Sequence, residues 1–166
     1  MDAFDQIIGQ IILNEVGNNP SNPGGYVCDP LDPGGETKYG ISRQSYPQLD
    51  IKSLTLEQAK GIYRTDFYNL MNLQSLDSVS VQYYVLDMGV NSGQRKAIET
   101  LQGAVHLTQD GILGPATAQA VNACDERGLV DRLIELRMLA YVNDVMRTPS
   151  ELKFLHDWTV RAFITL

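Results

Sequence analysis

Apolar side chains recur at steps of three and four residues along most of the chain, which is the spacing of an amphipathic α-helix. A first helix is predicted over residues 2–15, where one face carries Phe4, Ile7, Ile8, Ile11 and Ile12. Further helices are predicted from residue 55, over 79–90, 94–105 and 129–146, and from residue 149. This pattern predicts a mainly α-helical protein.

Short signals at the predicted helix ends support this assignment. Thr55-Leu56-Glu57-Gln58 has the form of a capping box, in which the threonine and glutamine side chains each satisfy a free amide at the helix start. Thr148-Pro149-Ser150-Glu151 has the same form and predicts the start of the last helix. Asp110-Gly111 and Gly114-Pro115 bracket a predicted turn, and Pro115 suits the first position of the helix that follows.

Residues 17–40 have a different character, because six glycines and four prolines lie among Asn, Asp and Tyr. No helix is compatible with that composition, so a loop or a short, turn-rich hairpin is predicted, at about residues 24–42. The expected fold is therefore a helical domain with one short β-hairpin near its N-terminus.

Length and charge limit the classes of function. The 166 residues suit one domain, expected here as two packed lobes over 1–90 and 91–166. The net charge of −7 disfavours nucleic acid and anionic membranes as partners, since both are bound through clustered Lys and Arg. A sugar polymer held by hydrogen bonds and stacking is compatible with this charge.

Cysteine usage and the N-terminus add further expectations. Cys28 and Cys124 lie far apart without metal-ligand spacing, which predicts free thiols and no metal site. The first residues lack the basic start and cleavage site of a secretory signal, and the apolar run 7–13 is too short to span a bilayer. We expect a monomer made in the cytoplasm, with no stable membrane insertion.

Glu15 is the main candidate for chemistry. It lies four positions after Ile11 and therefore on the apolar face of the first helix, at the helix end where the dipole is negative. Both surroundings disfavour a charged carboxylate. A carboxylic acid held protonated near neutral pH is what a general acid for glycosidic cleavage requires. The alternative is that Glu15 points to solvent as the helix frays.

The loop that follows carries further candidates. The Gly34-Gly35 pair permits backbone conformations closed to other residues, so that Asp32 and Thr37 could turn toward the same cleft. Tyr26 and Tyr39 could stack on sugar rings. The alternative is a rigid surface hairpin built on Asp-Pro turns.

Outside the loop, Asn91 could hydrogen-bond an N-acetyl group in a groove, or it could cap the helix that follows it. His106 and His156 are expected to be structural or surface residues. Trp158 is expected in the core, because it recurs at helical spacing with other apolar residues.

The segment from Gly24 to Ser42 resembles the signature of glycoside hydrolase family 108, a family of bacterial and phage N-acetylmuramidases. That signature is roughly E-G-G-Y-x-x-x-P-x-D-x-G-G-x-T-x-x-G-I-[TS]. Asp87-Met88-Gly89-Val90-Asn91-Ser92-Gly93, Leu101-Gln102 and the run Asp110 to Thr117 are similar to the family's C-terminal half, a predicted peptidoglycan-binding region. The resemblance covers nearly the whole chain.

The chain departs from the family at one position. In the family a catalytic glutamate directly precedes Gly-Gly-Tyr, whereas Pro23 stands there in this chain and the nearest upstream glutamate is Glu15. Either residues 16–23 are an insertion after Glu15, or the acid has been lost. The apolar helix leading into Glu15 resembles the one that precedes the family's glutamate, which favours the insertion.

The resemblance implies a lysozyme-like peptidoglycan hydrolase that cleaves the β-1,4 bond between N-acetylmuramic acid and N-acetylglucosamine without a cofactor. By similarity to phage-type lysozymes, Glu15 would protonate the glycosidic oxygen, while Asp32 and Thr37 would hold the attacking water. A water placed between these groups implies inversion at the anomeric carbon. The implied setting is a phage or prophage endolysin. The alternative is a non-catalytic peptidoglycan-binding or secretion-accessory protein on the same scaffold.

Overall fold

The computed structural model describes residues 2–17, 19–28 and 35–164. In these ranges the α-helices are α1 (Ala3–Val16), α2 (Leu56–Tyr63), α3 (Val79–Ser92), α4 (Gln94–Ala104), α5 (Pro115–Asn122), α6 (Glu126–Arg147) and α7 (Leu155–Ala162). A π-helix spans Arg64–Asn69, and 3-10 helices span Leu73–Ser75 and Pro149–Phe154. The strands are β1 (Val27–Cys28), β2 (Glu36–Lys38) and β3 (Ile41–Ser42). The predicted mainly α, lysozyme-like fold is confirmed.

The residues group into two compact units, Met1–Asp66 and Phe67–Leu166. The first unit holds α1, the strands and α2. Its buried apolar side chains come from α1, from the strand β3, from the loop before α2 and from α2 itself. They are Phe4, Ile7, Ile8, Ile11, Ile12, Ile41, Ile51, Leu54, Ala59 and Tyr63.

Helix α1 forms as its apolar pattern predicts. Asp2 caps its start by accepting a hydrogen bond from the Asp5 amide, and Gly17 ends it with a positive φ of 67°. All five predicted inward residues of α1 are buried. Burial of each such side chain contributes roughly 1.5–3 kcal/mol to folding, so packing of this face stabilises the helix that carries Glu15.

The β element is a three-stranded antiparallel sheet in the order β1-β2-β3. Thr37 in β2 pairs with Val27 on one side and with Ser42 on the other. The sequence predicted one hairpin at about 24–42, and the structure adds β1 as a third strand at its edge. A two-residue turn, Tyr39-Gly40, joins β2 to β3.

In the second unit, α3 is the central helix. Every residue from Val81 to Gly89 is buried, and α3 packs against α4 and α6. The predicted turn after α4 is held by Gln102, whose side chain donates to Asp110 (2.7 Å) and accepts from the Gly111 amide (3.0 Å). Pro115 begins α5, as predicted.

The start of the last helix differs from the prediction. Thr148 makes no side-chain cap, because the Glu151 amide donates instead to the Thr148 carbonyl oxygen at 2.9 Å. The segment Pro149–Phe154 therefore begins as a 3-10 helix, and α7 follows from Leu155. Among the helices of the described ranges, none combines the length and the apolar content needed to cross a membrane.

Candidate active site

Glu15 lies in the last turn of α1 and is half-buried. The Gly17 amide closes the helix end by donating to the Leu13 carbonyl oxygen at 2.8 Å. Glu15 is therefore held within an ordered turn, at the helix end where backbone carbonyls carry partial negative charge. The alternative expectation, an end that frays from Glu15 onward, does not describe this helix.

The turn of the β2–β3 hairpin lies directly against Glu15. Tyr39 and Gly40 both have positive φ, 53° and 78°, which is the backbone of a type I′ turn and matches the twist of a hairpin. A Cβ placed on Gly40 would lie 3.0 Å from Glu15 Cγ and 3.1 Å from Glu15 Cβ, and it would collide with the Tyr63 hydroxyl. The missing side chain at Gly40 is what lets the acid and the hairpin meet.

A hydrogen bond from Tyr63 holds this turn in place. Tyr63 is buried in α2, and its hydroxyl donates to the Tyr39 carbonyl oxygen at 2.9 Å. The helix α2, the hairpin turn and the end of α1 thus converge on one point of the first unit. The role of Tyr63 in holding the turn was not predicted from the sequence.

After Val16 and Gly17 the chain leaves the helix end, and residues 19–25 bring it back to Val16. Gly25 lies so close to Val16 that a Cβ on Gly25 would be 2.7 Å from Val16 Cβ. Asn22 closes the loop, since its side chain accepts from the Tyr26 amide and donates to the Tyr26 carbonyl oxygen, both at 2.9 Å. The segment therefore ends beside Val16 and does not carry the hairpin away from Glu15.

The same segment walls an apolar groove of about 470 Å³. Pro20 and Pro23 line it together with Leu13 and Val16 of α1 and with Tyr39. The contribution of these two prolines to an apolar groove was not predicted from the sequence.

Tyr26 and Tyr39, the two predicted stacking residues, are each half-buried. The Tyr26 hydroxyl donates to Glu36 Oε1 at 2.8 Å, and this hydrogen bond to a carboxylate raises the pKa of Tyr26 to about 12. The Tyr39 ring packs over Gly24, where a Cβ would lie 3.0 Å from the ring carbon Cζ. Both rings therefore have packing roles within the hairpin.

Of the two residues expected to hold water, Thr37 lies half-buried in the central strand β2. Asp32, together with Gly34, lies outside the described residues. The predicted role of Asp32 in holding the attacking water thus remains a prediction.

Asn91 lies near the end of α3 in the second unit. It does not cap α4, because the N-cap of α4 is Gly93, which makes no side-chain cap. Asn91 Oδ1 instead accepts from the Tyr141 hydroxyl at 3.2 Å, and Asn91 lines a cavity of that unit.

A buried ionic cluster in the second unit was missed from the sequence. Asp87, fully buried in α3, accepts from Arg137 of α6 at 2.6 Å and from Arg161 of α7 at 2.8 Å. The signal for it was a lone acidic residue within an apolar helix, which requires buried partners. Its partners lie 50 and 74 residues away, and no local pattern identifies them.

The remaining groups considered from the sequence are the two cysteines and the two histidines. The thiols of Cys28 and Cys124 are free and exposed. His156 is exposed and lies beside Asp157, and His106 is exposed in the segment after α4. Within the described ranges, no three His, Cys, Asp or Glu side chains are grouped so as to hold a metal ion.

A mainly α-helical architecture, with a carboxylic acid at a helix end against a small antiparallel sheet, defines a lysozyme-like protein. Two family models match the chain in succession: Glycosyl hydrolase 108 over residues 21–93, and Predicted Peptidoglycan domain over residues 94–163. Residues 21–93 thus match a glycosyl hydrolase 108 domain, and residues 94–163 match a predicted peptidoglycan domain that follows it. It is a glycoside hydrolase that acts on peptidoglycan.

Among solved structures, the chain is similar to SagA of Brucella abortus. The two are 26% identical over 96% of this chain and 92% of that chain, with a TM-score of 0.71. No curated protein matches the chain. The glycosyl hydrolase 108 match begins at residue 21, after Glu15, so the assignment of Glu15 rests on its geometry.

Proposed function

We propose that this hydrolase is an N-acetylmuramidase with Glu15 as its general acid. The observation that carries the proposal is the contact of the Glu15 side chain with Gly40 at the tip of the hairpin. The family expects its acid next to Gly-Gly-Tyr, and the closed loop 16–23 keeps Glu15 beside that part of the chain. This supports an insertion after the acid rather than loss of the acid.

In the proposed reaction, the Glu15 carboxyl gives its proton to the oxygen that links C1 of N-acetylmuramic acid to N-acetylglucosamine. The C1–O bond breaks, and the N-acetylglucosamine residue leaves with a restored hydroxyl group. A water on the opposite face forms the new bond to C1 and loses a proton to Asp32, while Thr37 orients that water. Attack from the opposite face inverts C1, so the first product has the α configuration.

The experiment compares wild type, Glu15→Gln and Glu57→Gln on peptidoglycan sacculi. Glu57 is the matched control because its side chain is 80% exposed and forms a surface ion pair with Lys60 of the same helix α2. The loss of a general acid lowers rates by roughly 10²- to 10⁴-fold, so Glu15→Gln should lose lysis by that factor while Glu57→Gln keeps it. Folded Glu15→Gln with near-normal lysis would refute the assignment.

The products identify the bond. After borohydride reduction, a muramidase leaves reduced N-acetylmuramic acid at the new chain ends, and a glucosaminidase leaves reduced N-acetylglucosamine. We expect the former. Wild-type protein that binds sacculi and releases no reducing ends would instead support the non-catalytic alternative.

The setting we propose is that of a phage or prophage endolysin, on the resemblance to phage muramidases alone. The protein would collect in the host cytoplasm and reach the wall after a separate protein opens the membrane. Expression in a Gram-negative host should therefore cause lysis only once the inner membrane is permeabilised. Lysis that begins without permeabilisation would contradict this setting.

A further inference from the structure

A second cavity, of about 280 Å³, lies within the C-terminal unit. Helices α3, α4, α6 and α7 and the 3-10 helix before α7 all contribute to its walls. The residues that matter here are Asn91, Lys96, Tyr141, Arg147, Glu151 and Trp158. Its volume is at the lower limit of small-molecule sites and suits one amino-acid residue better than a run of sugars.

Two aromatic rings form an ordered apolar wall. The centroids of Tyr141 and Trp158 lie 5.3 Å apart, and Phe154 stacks on the Trp158 ring at 5.9 Å. Tyr141 is only 3% exposed, and its hydroxyl is held between the Arg137 guanidinium and the Asn91 amide oxygen. This wall is connected to the buried Asp87 cluster, which fixes its position.

The charges around the cavity are only partly neutralised. Lys96 forms an ion pair with Asp144 at 2.7 Å. Arg147 and Glu151 also line the cavity, yet neither forms an ion pair with the other or with any further residue in the described ranges. The Arg147 guanidinium and the Glu151 carboxylate are thus both available to a single small ligand.

We propose that this cavity binds the peptide stem of peptidoglycan, through the zwitterionic end of its diamino dicarboxylic acid. Arg147 binds the carboxylate, Glu151 binds the ammonium group, and the aliphatic chain lies on Trp158. The inference rests on peptidoglycan as the substrate and adds which part of it the second unit recognises. Uncharged sugar rings offer no charged partner to Arg147 or Glu151, whereas the zwitterionic end offers one to each, which favours the peptide over the glycan as ligand.

Calorimetry with monomeric muropeptides tests the site without turnover. One probe carries meso-diaminopimelate in its stem, and a second carries L-lysine, which has the ammonium group but lacks the carboxylate. A third probe is the disaccharide without peptide, with its lactyl carboxyl group converted to the amide so that it carries no charge. We expect the first to bind most tightly and the third to show no binding.

The variants separate the two charges. Arg147→Ala should weaken binding of the diaminopimelate probe by roughly tenfold, the effect of one lost charged hydrogen bond. The same variant should leave the lysine probe unaffected, because the lysine side chain ends in an ammonium group without a carboxylate. Glu151→Gln should weaken both probes. Arg132→Ala, an exposed change on the same helix α6 outside this cavity, is the control and should change neither.

Wild-type affinity in both Arg147→Ala and Glu151→Gln would overturn the proposal, as would equal binding of the peptide-free disaccharide or no binding of any probe. Glycan strands freed of peptide should be cleaved equally by wild type and Arg147→Ala. Stem binding without any cleavage by wild type would refute the muramidase proposal and leave this site standing. Cleavage without stem binding would do the reverse.

Discussion

The position of Gly40 requires both a positive φ and the absence of a side chain, and only glycine satisfies both requirements. Its φ of 78° lies in the left-handed region, and the place of its side chain is already occupied by Glu15 and by the Tyr63 hydroxyl. A residue with a Cβ there would strain the turn and push the acid away from the hairpin. A substitution at Gly40 would therefore affect catalysis by moving the Glu15 carboxyl group, without altering its chemistry.

Gly40→Ala should lower both stability and hydrolysis. The left-handed backbone costs an alanine roughly 1–2 kcal/mol, and the displacement of a reacting group by about 1 Å costs on the order of 10²-fold in rate. Thermal melting and the release of reducing ends measure the two effects. Gly61→Ala is the control, since Gly61 lies in α2 with open space around it and gains helix propensity from alanine. Normal hydrolysis by Gly40→Ala would show that the contact with Glu15 does not position the acid.

At the scale of elements, the sheet is tied together by the hydrogen bonds of Glu36. Glu36 accepts from Tyr26 next to β1 and from Arg43 after β3, so one carboxylate links the segments on both sides of β2. The hydrogen bond from Tyr26 lowers the pKa of Glu36 below its ordinary value of 4.5, and Arg43 lowers it further. The ionised form of Glu36 therefore stabilises the folded hairpin.

This linkage has a definite pH dependence. Because the folded pKa of Glu36 is depressed, its contribution is fully present above the ordinary value of 4.5 and is lost as pH falls through the folded pKa. Tyr26→Phe removes the larger cause, so the pKa of Glu36 should rise toward 4.5 while Arg43 keeps it somewhat lower. NMR titration of the Glu36 carboxyl measures this directly. An unchanged pKa in Tyr26→Phe would mean that the hydrogen bond is not formed in solution.

The loop 16–23 is the second element with a testable role. Deletion of residues 16–23 joins Glu15 to Gly24, so that Gly25 takes the place of the helix-ending Gly17. The two glycines have similar backbones, with φ of 59° and 67°. Loop closure entropy changes little with length, so the shortened chain should fold and keep most of its hydrolytic activity.

Sacculus digestion compares this deletion with a variant in which residues 16–23 are replaced by eight Gly and Ser residues. The replacement keeps the length but removes Pro20 and Pro23 from the apolar groove. We expect both variants to be active. A stable but inactive deletion would show that the segment itself contributes to the site.

For the whole molecule, local signals predicted elements well and long-range contacts poorly. The box at Thr55 and Gln58 forms as predicted, because both partners lie within one helical turn. The buried face of α1 was likewise predicted from the spacing of the apolar residues within that helix. The contact between Glu15 and Gly40 depends on how an eight-residue loop closes, and the pairing of Asp87 depends on helices far along the chain. Those features required the folded structure.

Asp87 should be the most sensitive single position for stability of the second unit. Removal of one partner from a buried ion pair costs roughly 3–5 kcal/mol, because the remaining charge stays buried without compensation. Asp87→Ala leaves Arg137, whose side chain is 2% exposed, in that state. Glu99→Ala breaks only a pair in which the Arg95 side chain is 74% exposed, worth about 0.5 kcal/mol or less. Urea unfolding compares the two. A loss below 1 kcal/mol in Asp87→Ala would show that the cluster is solvated.

The Asp87 cluster also sets an order of events during synthesis. Arg161 follows Asp87 by 74 residues, which at ~5–20 residues per second separates their appearance on the ribosome by about 4–15 s. Throughout that interval α3 carries a carboxylate whose full set of partners has not yet been made. The first unit, by contrast, draws its buried contacts from residues already translated. We therefore expect nascent chains to become resistant to protease first over the acid-bearing unit, and over the second unit only after Arg161 has left the ribosome.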